Sequence, residues 1–597
     1  MNLITFCDNE SLLSKKDKKI LKEKNNFFVG DWCTQHDNMF SFKNQKKVLD
    51  LFKWGKTKER ENNHNYVIKI YEEILKNIST SLNKFHNKNY DQKYWEVLVM
   101  RWLYNYLHRT YACWGTAKKI LKKHKIKSVL SLDVDDQIFI PDNTVDGRLI
   151  VDDEDNYWSG WAFNEIFKFI GNTKIRYIKT KKKINFKDIK SQSDIHSRYV
   201  DIKIFSLKDK IFIYRFNLPF NMKLKLMFKN LQFPYKGSFK SIPKNNEKKR
   251  KEFYFYKKTN DEFLNFANYF VKKNLPKIFL ENYENLEKTY EKLKWPKNPK
   301  YIITSHAHII DDVFKIYVAK KKIKGSKFLI SQHGAGGHYE QHLYYDFKVC
   351  DRYLVWGKGA KLNAIKGIAK QGAKQDKKTY PLFASQYQNL EKEEFKFNRK
   401  KKLLLVVYDF SRHISYPPHG FINTLKKIEI HTQLILSLIE KLNKDLRNII
   451  KVKNLIISKY KYTQNTILHK YPKTEFLKTN KQVYKIRKNY NLQIDFFLST
   501  SFFESMYYNQ PVILIYDDRL LYGCYKSFKK YLKILKKNNI CFYNSSDASK
   551  FINKNYNNLE DWWFSKSVQN VRKLFCKNFC KDSESPIKDF ERSLNIR

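Results

Sequence analysis

The chain has 597 residues, 42% of them apolar and 16% aromatic, with a formal charge of +56. That is long enough for two or three domains and too apolar for a disordered chain. No run of about 18 apolar residues occurs, which excludes an ordinary membrane-spanning helix. The charge does not by itself choose a partner: Lys and Arg are spread over the whole length, and no zinc-finger spacing, helix-turn-helix signal or aromatic ribonucleoprotein motif accompanies them. Drift in the amino-acid usage of an AT-rich genome, a surface attracted to anionic lipid or acidic glycan, and nucleic-acid binding all stay open, the last with no motif behind it.

Residues 1–125 read as a helical N-terminal region. "NYVIKIYEEILKNISTSLNKFHN" and "DQKYWEVLVMRWLYNYLHRTYACW" place apolar residues at three- and four-residue intervals, with Asp91 as N-cap of the second. Ahead of them "NNFFVGDWCTQH" reads as a short buried strand entering a loop. Residues 126–385 read as a first Rossmann-like domain with an insertion. Its strands are "KIKSVLSLD" and then "YIITSHAH" (301–308), "KFLISQHG" (327–334) and "DRYLVWG" (351–357). Runs apolar on both faces fit a parallel sheet covered by helices. Residues 180–260, basic and rich in aromatics, give no clear pattern. After a polar connection, residues 400–560 read as a second Rossmann-like domain, with strands in "KKLLLVVYD" (401–409), "VKNLIISKY" (452–460), "IDFFLST" and "PVILIYDD" (511–518). A C-terminal helix is expected over 561–597. The fold class is therefore α/β, two Rossmann-like domains facing a cleft, where ligands bind beyond the carboxyl ends of the strands.

The eight cysteines are scattered without a CxxC pair, and "CKNFC" lacks zinc-site spacing. Reduced thiols and a cytoplasmic protein are expected, since the N-terminus does not have the form of a signal peptide.

Candidate chemistry gathers at three strand ends. In "LISQHGAGGHYE" His333 follows a strand and is the candidate general base, because a neutral imidazole titrating near pH 6.5 suits proton abstraction. Gly334, Gly336 and Gly337 read as a turn where backbone approaches ligand closely. A structural loop with a hydrogen-bonded imidazole is the alternative. One strand earlier, His306 and His308 are candidates for a polar cleft wall together with His338; no carboxylate of suitable spacing completes a metal site, and none is expected. Arg412, in "YDFSRHISYPPHG", suits a phosphate with its planar fork, or forms a surface ion pair. Ser499, Thr500 and Ser501 open a helix and read as an anion cradle with Glu504 on a sugar or ribose hydroxyl. The same Ser501–Glu504 spacing equally fits a capping box.

The strand, hydroxyl turn, Glu and "QPVI" of the second half resemble the donor region of GT-B-type glycosyltransferases. Blocks in order along the chain are similar to a family of transferases from surface-polysaccharide (lipopolysaccharide O-antigen and capsule) gene clusters. They are "FFVGDWC" (Gly30, Asp31, Trp32, Cys33), Leu82–Asn83 with His86, Tyr94–Trp95, "SQHGAGGHYE", "STSFFESMYYNQPVI" and "DWWFSKSVQNVRKLF" from Asp561. The chain departs from the family in lacking glycine in the donor turn, and in having Lys459 and Lys461 where an Arg–Pro phosphate contact is usual. The resemblance implies sugar transfer from a nucleotide-sugar donor to a glycan or lipid-linked glycan acceptor, with no metal or other cofactor, at the inner face of the membrane. His333 would serve the acceptor, and Arg412 with Ser499 to Ser501 would hold the leaving diphosphate. Transfer of a polyol phosphate from a CDP-linked donor is the nearest rival reading. A non-catalytic protein binding acidic glycan or nucleic acid is the rival from another class.

Overall fold

The computed structural model of the chain describes residues 1–7, 12–34, 48–49, 57–153, 155–171, 173–181, 183–184, 202–208, 210–236, 247–253, 258–334, 344–361, 378–388, 395–397, 402–409, 424–455, 461–479, 481–517, 519 and 526–595. Its strands form three parallel sheets and one antiparallel pair. The first sheet has the order β2-β1-β3-β4, from Asn2–Ile4 (β1), Asn26–Phe28 (β2), Ser128–Leu132 (β3) and Lys174–Ile178 (β4). The second is ordered β11-β10-β9-β8-β6. It comprises Ile211–Ile213 (β6), Tyr301–Thr304 (β8), Lys327–Ser331 (β9), Arg352–Val355 (β10) and Thr379–Pro381 (β11). The third is ordered β14-β13-β12-β15-β16-β17. It comprises Lys402–Val407 (β12), Ile450–Asn454 (β13), Glu475–Phe476 (β14), Tyr490–Asp495 (β15), Val512–Ile515 (β16) and Cys541–Phe542 (β17). Ile202–Ser206 (β5) and Gln232–Lys236 (β7) pair antiparallel.

The α/β class with parallel sheets is thus present, and two features differ from the sequence reading. The boundary set at 125 runs through a sheet, because β3 pairs with β1 and β4 and so belongs with the N-terminal strands. Helical periodicity dominates that region, β1 with three residues is too short to show a period of two, and nothing in the short strand read at 25–29 tells which strands it joins. The "C-terminal helix" is three helices, Leu559–Phe564, Lys566–Phe579 and Pro586–Asn595. They cross back onto the middle unit, where Phe590 and Leu594 pack in one cluster with Ile213, Leu329 and Leu354. The turn after β10 explains how closely: Gly357 has φ +127°, and a Cβ there would stand 2.5 Å from the carbonyl oxygen of Asn578. Part of the unread 180–260 segment proves to be β6, the edge strand beside β8.

Several motif blocks build the frame. The long helices Thr57–His86 and Gln92–Lys123 are joined by a turn that Asn83 closes. Its Oδ1 accepts from Trp95 Nε1 at 2.8 Å and its Nδ2 donates to the Tyr90 carbonyl at 2.7 Å. Asp91 caps the second helix by accepting from Tyr94 N, as read from sequence. His86 stacks on Trp95 and hydrogen-bonds the Phe279 carbonyl. Trp32 and Cys33 are buried in the core, Trp32 against Phe163. Trp563 donates to the carbonyl and side chain of Asn509, fixing the end of the helix Thr500–Tyr507. The seven described cysteines form no disulfide, and among the described residues no helix is long and apolar enough to cross a membrane.

Candidate functional site

A cavity of about 520 Å³ opens where the carboxyl ends of the second and third sheets face each other. Asn217 follows β6, His306 follows β8 and His333 follows β9; Tyr408 follows β12, Leu455 follows β13, and Ser499, Thr500, Ser501 and Glu504 follow β15. Strand ends converge because every strand in both sheets runs parallel, so the connecting turns collect on one side of each. The two walls approach closely: a Cβ at Gly334 would lie 3.5 Å from Thr500 Oγ1.

On the second-sheet wall, Gln332 pins the turn that carries His333. Its Nε2 donates to the Gly334 carbonyl at 2.7 Å and its Oε1 accepts from Trp356 N at 3.0 Å. His333 is exposed to the cleft although the fold encloses it. Lost solvent holds its imidazole below the ordinary value; Asp346 pulls the other way, while His308, Arg101 and Arg148 add to the depression. Cleft water damps that effect, and a ligand displacing the water would strengthen it. His306 faces it, with ring centroids 6.4 Å apart. Burial first, and then His333 and Arg215, push His306 down to about 3. His308 does not reach the cleft: it is buried, and its Nε2 lies 2.6 Å from the buried carboxylate of Asp346, anchoring the helix Tyr344–Val349 that carries Tyr345. Gly334 needs no glycine conformation, since its φ is not positive and a Cβ has room there. Gly336, Gly337, His338, Arg412 and Lys459 lie outside the described residues.

On the opposite wall the hydroxyls do something neither sequence reading anticipated. Ser499 is the N-cap residue, but its side chain makes no capping bond, and Ser501 and Glu504 do not form a capping box. Both serines turn instead to Asp495 at the end of β15. Ser501 Oγ donates to Asp495 Oδ1, Ser499 Oγ lies 3.1 Å from the same oxygen, and the two hydroxyl oxygens are 2.6 Å apart. Gln493 Nε2 donates to Asp495 Oδ2 at 2.5 Å, and Ser505 Oγ donates to Gln493 Oε1 at 2.9 Å. Burial pushes Asp495 up to about 7 against the pull of these donors. Burial likewise pushes Glu504 up to about 8, with Arg487 opposing and Asp495 assisting. Lys461 occupies the N-cap of the helix Tyr462–Lys470 in a left-handed conformation, φ 48°.

Two arginines absent from the sequence reading line the same cavity, Arg101 and Arg148, both from the N-terminal region. Arg101 lies over the Tyr345 ring at 4.4 Å. Arg148 lies 3.5 Å from Asp152 and rides on the helix Thr144–Val151. That helix is clamped to Asp312–Ile323 by a buried cluster, in which Lys315 Nζ donates to Asp312 Oδ1 at 2.9 Å and Thr144 Oγ1 at 2.6 Å. Nothing in the local sequence of a helix interior marks such arginines; only the packing of the two regions brings them in. Among the described residues no group of three or more His, Cys, Asp or Glu is placed to hold a metal ion.

A cleft between two parallel α/β units is where such folds bind their ligands, and the family to which the chain belongs names the class. Residues 10–594 match the LIC12162 family of transferases, to which the chain belongs. Membership sets aside the reading as a non-catalytic binding protein. No curated protein matches the chain. Among solved structures it is similar to Anabaena HepE in complex with UDP and glucose, with 10% identity over 65% of this chain and 100% of that one and a TM-score of 0.35. It is also similar to the lipopolysaccharide outer core galactosyltransferase WaaB (12% identity, 52% and 78% covered, TM-score 0.28) and to the wall teichoic acid polymerase TagF (10%, 50% and 72%, 0.29). At such scores no residue-by-residue correspondence follows.

Proposed function

We propose that the chain is a glycosyltransferase that moves a sugar from a nucleotide-sugar donor to a glycan acceptor of the surface-polysaccharide type. The observation that carries the reading is the shared cavity, with a cleft-facing histidine on one wall and a hydroxyl turn with a carboxyl on the other. On this reading His333 takes the proton of the acceptor hydroxyl as that oxygen bonds to the anomeric carbon. The bond from that carbon to the diphosphate breaks, and the diphosphate leaves with the electron pair. His306, at about 3, is too weak a base for this step and serves as a hydrogen-bonding wall. Glu504 holds its proton below about 8, so it can both donate to and accept from a sugar or ribose hydroxyl. Arg101 and Arg148, with Arg412 as a further phosphate contact, supply the positive charge that a departing diphosphate requires. The proposal gives no step to a metal or other cofactor.

The acceptor is proposed to be lipid-linked and met at the inner face of a membrane. A surface beside the cleft supports this. The helix Phe220–Lys229, which starts just after the cleft residue Asn217, carries Phe220 (71% exposed), Leu224 and Phe228 (56% exposed) at four-residue spacing. Exposed Lys225 and Lys229 flank the stripe. Because two arginines border His333, a second reading stays in play, in which the group moved is a polyol phosphate from a CDP-linked donor.

A thermal-shift screen against UDP-, GDP-, CDP- and CMP-linked sugars and a CDP-linked polyol, followed by product analysis, tests the proposal. One class of nucleotide sugar should raise the unfolding midpoint of the wild type and His333→Ala, but not Glu504→Ala, by binding the native state alone. Transfer should vanish in His333→Ala. A response to the CDP-polyol alone selects the second reading, and no response to any nucleotide sinks both.

A further inference from the structure

Ser499, Ser501 and Asp495 form a triangle of buried oxygens with three close contacts. Two hydroxyls bring only two protons to it. With Asp495 ionised, the carboxylate is the strongest acceptor present, so both protons point inward along the triangle. Ser499 and Ser501 then offer the cleft lone pairs alone, which repel a phosphate. A third proton on Asp495 reverses the chain: the acid donates to Ser501, its nearer partner, Ser501 donates to Ser499, and the Ser499 hydroxyl is released to donate into the cavity that it lines.

We propose that Asp495 is a positioning residue that turns Ser499 from an acceptor into a donor toward the cleft, so that an anionic diphosphate binds there together with one proton. The inference rests on the transfer reading only for the identity of the anion. It is supported by the carboxyl's surroundings, which push it up to about 7, within the range where a cell can supply or withhold that proton. Among the described residues the groups facing it are few. Pairing across β12 and β16 presents Val406 and Leu514, both apolar. The helix Thr500–Tyr507 brings Glu504, whose charge is coupled to Asp495. Arg487 faces Glu504 from the segment before β15. The helix Thr424–Lys441 brings His431, buried and held at about 3, hence neutral, and Lys427 over the Phe497 ring. Asp409, beyond β12, is bonded to Thr463 N.

The sign follows from linkage. Below about pH 7 the proton is already in place, and above it the anion must recruit one, so affinity should fall by up to about tenfold per pH unit. Asp495→Asn puts an amide N–H where the acid proton would be, and holds the chain permanently in the donating direction. The test is isothermal titration of a UDP- or CDP-linked sugar, and separately of sulfate, in two buffers of unlike ionisation enthalpy from about pH 6 to about pH 8. The wild type should take up nearly one proton per ligand at the upper end. Asp495→Asn should lose that uptake while keeping the low-pH affinity throughout, and Glu504→Gln, read with sulfate because Glu504 is itself a sugar contact, should keep it. Uptake that persists in Asp495→Asn, absence of uptake in the wild type, or a folded Asp495→Asn that no longer binds at low pH overturns the inference. If sulfate binds with Asp495-dependent uptake while no nucleotide sugar binds, the transfer reading falls and this one stands; if neither ligand binds, both fall.

Discussion

Glu504 sits where ionisation is costly. Its carboxyl is buried at the cleft floor and pushed up to about 8, from an ordinary 4.5. In the folded chain it therefore keeps a proton that the unfolded chain has lost above about pH 5, and stability falls as pH rises through that window up to about 8. Glu504→Gln removes the cost of ionisation and keeps the shape. Its unfolding midpoint should match the wild type near pH 5 and exceed it above pH 8, by roughly 2–4 °C for each kcal/mol recovered. Transfer should fall by about ten- to hundredfold, the loss of one charged or acid hydrogen bond to substrate. Equal midpoints at high pH would contradict the assigned burial. At this scale the sequence was a partial guide. Ser499, Thr500, Ser501 and Glu504 are legible as candidates and do line the cavity, but the partner of a serine hydroxyl is set by tertiary neighbours. The cradle and the capping box, both local readings, missed the turn toward Asp495. His308 was misread for a similar reason: its spacing from His306 says nothing of the Asp346 carboxylate, 38 residues on, that takes it into the core.

Elements decide which of these side chains can meet. The long strands of the third sheet are legible from their continuous apolar runs, and β2 shows as the short apolar run of "NNFFV", whereas β1, of three residues, leaves little trace. The consequence is functional, because the N-terminal sheet and helices deliver Arg101 and Arg148. Their delivery depends on the clamp between Thr144–Val151 and Asp312–Ile323. Lys315 is wholly buried, and desolvation holds its ammonium below the ordinary value against the pull of Asp312. Lys315→Met would leave the Asp312 carboxylate buried with its cation gone. A cost of about 3–5 kcal/mol in denaturant unfolding is expected. A lesser change, Arg148→Gln, leaves the clamp intact and should leave the unfolding midpoint within roughly 1 °C. It should still weaken the binding of an anionic substrate by about tenfold, as loss of one partly exposed charge contact does. Equal substrate affinity in Arg148→Gln would remove that arginine from the site.

For the whole molecule, the excess of lysine was the hardest feature to read, since composition carries no geometry. On the helix Phe220–Lys229 charge and apolar side chains coincide at the surface. Phe220, Leu224 and Phe228 recur at the four-residue spacing that aligns them along one helix face. Leu207, 62% exposed, and exposed Lys208 and Lys210 belong to a neighbouring segment, tied just beyond the end of this helix by the bond from Leu207 N to the Leu231 carbonyl. The Lys229 ammonium is shared with Glu591 at 2.5 Å, so not every charge there is available to a lipid. Apolar rings within a basic collar match an interface of anionic headgroups over acyl chains, each lysine near such a surface adding about 1 kcal/mol. Lys223, on the same helix, is close enough to His306 to act on its titration, so a bilayer resting here would lie at the mouth of the cleft, where a lipid-linked acceptor would enter. Wild-type protein should co-sediment with mixed phosphatidylcholine–phosphatidylglycerol vesicles and not with phosphatidylcholine alone, less so as salt screens the lysines. Phe220→Ser combined with Phe228→Ser should weaken that binding by more than about tenfold, since two rings no longer leave water. The fold and the nucleotide response should be unchanged, because both rings lie outside the core. Equal co-sedimentation of the variant would sink the membrane assignment. So would a wild type that ignores anionic vesicles but forms dimers that the same two substitutions dissolve, for then the stripe would belong to a second copy of the chain.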